Sequence, residues 1–129
     1  MARIVQKFGG TSVADVNKIR KAAEIVVKAA SEGHEVTTVV SAMGHTTDHL
    51  ISLAEQITPT SGERNPREMD MLLATGEQVS IALMTMAIQT MGHEAKSFTG
   101  AQAGIITESR HGVAKIQEMR TDRLESSLA

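Results

Sequence analysis

Hydrophobic positions change their period several times along the chain, and each change marks a predicted element. Arg3 to Phe8 places the β-branched pair Ile4-Val5 after a basic residue and stops at Gly9-Gly10, which predicts a short strand closed by a tight turn. Thr11, Ser12 and Asp15 follow as candidate helix caps. Val16, Ile19, Ala22, Ala23, Val26, Val27 and Ala30 then recur at helical spacing and predict a helix with one apolar face, closed by Gly33. Val36 to Val40 reads Val-Thr-Thr-Val-Val, a β-branched run expected of a strand covered on both faces. The first unit is therefore strand, helix, strand.

Ser41 to Thr47 is a polar loop containing Gly44, and from Asp48 a short helix is predicted on Leu50, Ile51, Leu53, Ala54 and Ile57. Thr58 to Arg67 holds both prolines and Ser61-Gly62, the clearest break in the chain, yet it is short for a linker between domains. A long helix is predicted from Arg67 to Met91, with Met69, Leu72, Leu73, Gly76, Leu83, Met86 and Ala87 near one face and Gly92 as its stop. Ala95 to Phe98 is a third strand candidate. Thr99 to Gly104 forms a loop of small residues, Ile105 to Thr107 a further short strand, and Asp122 to Leu128 a short helix. Alternating strands and helices predict an α/β fold with a mainly parallel sheet of three or four strands.

Composition narrows the functions this pattern can serve. The formal charge of −2 and the absence of a long basic run leave no electrostatic footprint for a phosphate backbone, and with Phe8 and Phe98 the only aromatics there is no stacking platform, so no nucleic-acid partner is expected. No cysteine is present, which removes disulfides, thiolate metal sites and cysteine nucleophiles together. The start, Met1 to Lys7, has no long apolar stretch of the secretory kind, and no unbroken run of about 18 apolar residues occurs. A cytoplasmic location without a membrane partner is the resulting expectation.

Candidate chemistry sits in the loops. Lys7-Phe8-Gly9-Gly10-Thr11-Ser12 joins a strand end to a helix start, where free amides and the positive helix end favour anions. Lys7 adds a point charge, Gly9 and Gly10 let a phosphate approach the backbone, and Thr11 and Ser12 add hydroxyl donors; a tight turn beside a solvent-facing lysine is the plainer reading. The segment is neither a GxxxxGK nor a GxGxxG loop. Ser41, Thr46 and Thr47 leave a second strand end and suit a carboxylate or amine, or simply cap the next helix. Glu77, in Thr75-Gly76-Glu77-Gln78, interrupts the apolar pattern of the long helix and is either a partner for a bound ammonium or a solvent-facing acid. Ser97 to Gly104 lines a pocket or serves a turn. His45 and His49 share a helix spacing without a completing carboxylate, so no metal site is expected. Glu68 and Asp70 lie where acids meet the helix dipole, not as an acid/base pair.

Taken together, Lys7-Phe8-Gly9-Gly10-Thr11-Ser12-Val13, Val39-Val40-Ser41-Ala42-Met43, Arg67-Glu68-Met69-Asp70, Thr75-Gly76-Glu77-Gln78-Val79-Ser80 and Ser97 to Gly104 closely resemble, in order, the N-terminal part of aspartokinase. The resemblance runs from about Arg3 to Leu124. It implies the amino-acid-kinase fold, a three-layer αβα sandwich, of which residues 1–129 would be the N-terminal portion of the catalytic domain. It also implies ATP and Mg2+ as the phosphoryl-transfer partners, L-aspartate as substrate, and a role in lysine, threonine and methionine biosynthesis. On this resemblance Lys7 is catalytic and stabilises the transferring phosphoryl group, Gly9, Gly10, Thr11 and Ser12 hold phosphate, Ser41 and Thr47 lie near the amino acid, and Glu77 meets its ammonium.

The Arg-Gly-Gly-Ser-Asp-type segment, the nucleotide-binding half and the ACT domains implied by the same resemblance do not occur before Ala129. Residues 1–129 alone are therefore expected to be inactive. A homo-oligomer, or pairing with the missing catalytic portion, is expected to complete them. A non-catalytic phosphate or nucleotide-binding module and a self-associating interaction fragment are the alternatives.

Overall fold

A computed structural model describes all residues from Met1 to Ala129. Strands β1 (Arg3–Phe8) and β2 (Glu35–Val40) run parallel, in register from Arg3 opposite Glu35 to Phe8 opposite Val40. Parallel neighbours need a crossover, and helix α1 (Val16–Ser31) provides it. Asp15 caps that helix, its Oδ1 accepting the Lys18 amide at 2.8 Å.

Helix α2 (Thr46–Ile57) follows β2 and packs on the long helix α3 (Pro66–Thr90). Proline at the first position and Asn65 as cap start α3, with Asn65 Oδ1 accepting the amides of Arg67 at 3.0 Å and Glu68 at 3.4 Å. The buried row of α3 is Gly76, Ser80, Met84 and Ile88. These positions, four apart, form a single ridge whose Met84 and Ile88 enter the core with α1 and β2 while Gly76 lies against Ala42 and the start of α2. Met86, expected on the packed face, is 58% exposed, because two residues carry it about 200° around the helix from Met84. By length and composition α3 is also long and apolar enough to cross a membrane. In this structure its ridge packs on protein instead.

Ile4, Gln6 and Phe8, opposite Val36, Thr38 and Val40, face the helices. The core gathers there, around Val13, Ile19, Ala23, Val26, Val40 and Met84. The other face of the pair carries Val5 and Lys7 opposite Thr37 and Val39, with Val5 71% and Val39 48% exposed. Coverage of β2 on both faces, expected from its β-branched run, is therefore corrected: α1 and α3 lie on one side only.

Ala95 to Phe98 joins no strand ladder, which corrects a second expectation. The Ala95 carbonyl instead accepts from Gln89 Nε2 of α3 at 3.1 Å. Strand β3 (Ile105–Thr107) pairs antiparallel with β4 (Ile116–Met119), a strand that the hydrophobic pattern does not predict. The register shifts between Ile106 and Thr107, and Gln117 is left unmatched in a bulge. Helix α4 (Asp122–Leu128) ends the chain. The strands thus form one parallel and one antiparallel pair, since a short loop allows β3 and β4 to pair only as a hairpin.

Candidate active site

Both loops leaving the parallel pair emerge at the same sheet edge, because parallel strands end together. After β1, Gly9 leads into a single 3-10 turn, Gly10–Val13, whose Ser12 amide donates to the Gly9 carbonyl at 3.0 Å. Thr11 and Ser12 are exposed on that turn, while Val13 is completely buried and anchors it to the core. After β2, the Ser41 amide donates to the Phe8 carbonyl at 3.1 Å and extends the ladder to the loop. The two loops are then joined directly, the Gly44 amide donating to the Gly10 carbonyl at 3.0 Å.

This junction explains why glycine occupies position 10. A Cβ there would lie 3.0 Å from the Ala42 carbonyl oxygen and 3.3 Å from that of Gly44. At Gly9, by contrast, a Cβ would meet nothing within 4 Å, so the backbone is open on that side to an incoming group.

Helix α3 approaches the same place. A Cβ on Gly76 would stand 2.9 Å from Ala42 Cβ and 3.5 Å from Thr46 Cγ2, so the helix backbone rests on the second loop through the absence of a side chain. Glu77 leaves α3 about 100° around from that contact and is exposed. Ser41 and Thr47 are half-buried, Ser41 directly after β2 and Thr47 in the first turn of α2. Thr46 is used locally, its hydroxyl donating to the Met43 carbonyl at 2.6 Å. Lys7 lies exposed on the uncovered sheet face, opposite Val39. Neither Lys7 nor Glu77 takes part in any ion pair of the chain.

The structure therefore brings the Gly9-Gly10 turn, the Ser41–Thr47 loop and the Gly76 turn of α3 into one contact region. A model of the amino acid kinase family matches residues 2–129. The chain belongs to the amino acid kinase family.

Within that family it is 52% identical over 128 residues to the aspartokinase of Mycolicibacterium smegmatis, across 99% of this chain and 30% of that protein. Aspartokinase 2 of Bacillus subtilis is 54% identical over 128 residues, across 99% of this chain and 31% of its own length. The crystal structure of aspartate kinase from Synechocystis superposes with a TM-score of 0.74 at 52% identity, covering 79% of this chain and 17% of that one. E. coli aspartokinase III, in complex with aspartate and ADP, superposes with a TM-score of 0.80 over 99% of this chain and 38% of its own. At 23% identity that likeness concerns the fold alone. The α/β arrangement is thus a partial amino-acid-kinase fold, and the chain spans about 30% of the length of the curated relatives it matches.

The residues of this kinase-family segment suit a phosphate better than a protein-held metal. An open backbone at Gly9 and a lysine free of ion pairs are anion-accepting features. No three His, Asp or Glu side chains approach closely enough to hold a cation. His45 instead lies 3.4 Å from Asp48, and His34 accepts the Ala2 amide at 3.0 Å.

No site role is expected of Ala42 or Gly44 from the sequence, yet Gly10 packs against both and α3 rests on Ala42. Small residues directly after a β-branched run were the available signal. The pairing of Asp70 with His111 at 2.8 Å had none, because the partners are far apart in sequence.

Proposed function

We propose that this chain supplies the phosphate loop and the amino-acid-binding side of an aspartate kinase, which transfers the γ-phosphoryl group of ATP to the side-chain carboxylate of L-aspartate, giving 4-phospho-L-aspartate. The observation that supports this reading is the junction of Gly10, Ala42, Gly44 and Gly76, where the Gly9-Gly10 turn, the Ser41–Thr47 loop and the turn of α3 just before Glu77 meet. Relatives named aspartokinase, 52–54% identical across nearly the whole chain, support it.

The substrate carboxylate is itself the nucleophile, so no covalent enzyme intermediate is needed and the protein contributes position and charge. Gly9 and Gly10 offer backbone amides, and Thr11 and Ser12 hydroxyls, to the phosphate oxygens. Lys7 places its ammonium against the charge that shifts during transfer. Ser41 and Thr47 orient the amino acid, and Glu77 holds its ammonium. Mg2+, when bound with ATP, neutralises phosphate charge; this chain offers no side-chain cluster for it. The reaction runs in the cytoplasm and, on this reading, only when a further portion of the catalytic domain completes the site.

Steady-state kinetics of the completed enzyme test the assignment. Lys7→Ala should lower kcat, by about 100-fold or more for loss of a charge aimed at the transition state, while Glu77→Gln should chiefly raise the KM for aspartate. Residues 1–129 alone should show no turnover above a Lys7→Ala control. Robust turnover abolished in that control would overturn the requirement for a completing portion. A folded Glu77→Gln enzyme with unchanged aspartate dependence would return Glu77 to the helix surface.

A further inference from the structure

The segment from Ser97 to Gly104 takes no part in the junction of the phosphate turn, the loop after β2 and α3, yet it has a partner of its own. Lys96, Ser97 and Phe98 line one side of a cleft of about 370 Å³, and Arg123, Ser126 and Ser127 of α4 line the other, with Gln102 between them. Residues three and four apart share a helix face, so α4 turns a guanidinium and two hydroxyls the same way.

Two cations line this cleft and no acid does, a local reversal of sign in a chain whose formal charge is −2. Neither Lys96 nor Arg123 joins any ion pair of the chain. Each is steadied by a neutral group instead. Lys96 Nζ stands 5.4 Å from the centroid of the Phe98 ring, and Arg123 Nη1 donates to the Gln102 carbonyl at 3.3 Å. Gln102 is itself tied down, its Oε1 accepting the Thr99 amide at 3.0 Å. These contacts hold two long side chains without neutralising either charge, which lowers the ordering cost of binding an anion. Glu125, two residues beyond Arg123, is engaged elsewhere, 3.8 Å from Arg3 Nη1 and accepting the Thr121 hydroxyl at 3.2 Å.

A ligand that answers this lining carries two negative charges and several acceptor oxygens. A phosphate group does, with a charge of about −1.5 to −2 at pH 7 and three strong acceptors, whereas a carboxylate brings one charge and two oxygens. The guanidinium fork matches two phosphate oxygens, and the ammonium acts as a point charge. We propose that the cleft between Lys96–Phe98 and α4 binds a phosphate group, with Arg123 and Lys96 as its charge partners and Ser97, Ser126 and Ser127 as hydroxyl donors. It shares no residue with the Gly9-Gly10 turn and does not depend on the kinase reading given above. The cleft is larger than a bare phosphate ion, so a phosphate monoester also fits.

Titration of the chain with inorganic phosphate, followed by amide chemical shifts, tests this. A Lys7→Ala background removes the charge beside the turn after β1. Saturable shifts are expected at Ser97, Gln102, Ser126 and Ser127, and acetate at the same ionic strength should produce none. Lys96→Ala and Arg123→Ala should each weaken binding by about tenfold or more, and Arg123→Lys, which keeps the charge without the fork, by less than Arg123→Ala. These side chains are exposed, so the variants should keep the parental circular dichroism. Glycerol 3-phosphate titrated beside the free ion distinguishes the sources: tighter binding assigns the cleft to a phosphorylated small molecule, equal binding to phosphate itself, and both support the site. Shifts confined to Gly9–Ser12, an equal response to acetate, or a phosphate affinity unchanged in folded Arg123→Ala would overturn the proposal.

Discussion

Gly76 decides how closely α3 can approach the loop after β2, and two opposing energies meet at that residue. Alanine is the better helix former by about 1 kcal/mol, but its methyl would stand 2.9 Å from Ala42 Cβ, a group carried directly on backbone. Overpacking of this kind costs about 1–3 kcal/mol. Gly76→Ala should therefore lower stability by up to about 2 kcal/mol in urea unfolding, and Ala42→Gly in the same chain should restore part of the loss. Gln6 presents the opposite case. Its Oε1 is buried without a partner on the strand face that meets the helices. An orphaned acceptor costs about 1–3 kcal/mol, so Gln6→Met, similar in shape and without that acceptor, should raise the urea midpoint. A lowered midpoint would mean that the amide has a partner in solution.

At the scale of elements, α3 carries the most instructive difference between pattern and packing. Met84 is 3% exposed and Met86 58% exposed, although both are apolar residues of one helix. Met84→Ala should cost about 2–5 kcal/mol, whereas Met86→Ala should stay within about 0.5 kcal/mol, and paired denaturation curves would show the separation. Helix existence was legible because α1 and α3 combine an apolar stripe with caps at Asp15 and Asn65. Which stripe of α3 packs was less legible, since nearly every turn of that helix offers an apolar residue. Ile116–Met119 shows no alternation and is exposed throughout, so only its ladder with β3 makes it a strand. The tight turn after β1 was readable from Gly9-Gly10 because backbone chemistry there is local. The contact of Gly76 with Ala42 was not, because it joins residues that only tertiary packing brings together.

The whole molecule exposes more surface than its mass requires. A compact monomer of this size shows roughly 6,600 Å², while the chain shows 8640 Å². The excess, about 2,000 Å², is the area of a substantial protein interface. Only 12 of 129 residues are buried, and Val5, Val39 and Ile57 remain open to solvent. Alone, the chain should therefore associate with itself as its concentration rises, and light scattering across a dilution series should show a growing mean mass. A monodisperse monomer at every concentration, unfolding in one cooperative step, would count against that expectation.

The crossover from β1 through α1 to β2 also has a temporal meaning. Every residue of that unit precedes Ser41, so on a ribosome delivering the chain from its N-terminus the parallel pair can close before α3 has been made. The turn at Gly10 is in place at that stage, and its neighbour Ala42 still lacks the cover that Gly76 later brings. The turn after β1 is thus the older part within each molecule's own history, and the helix bearing Glu77 arrives on a platform already laid down.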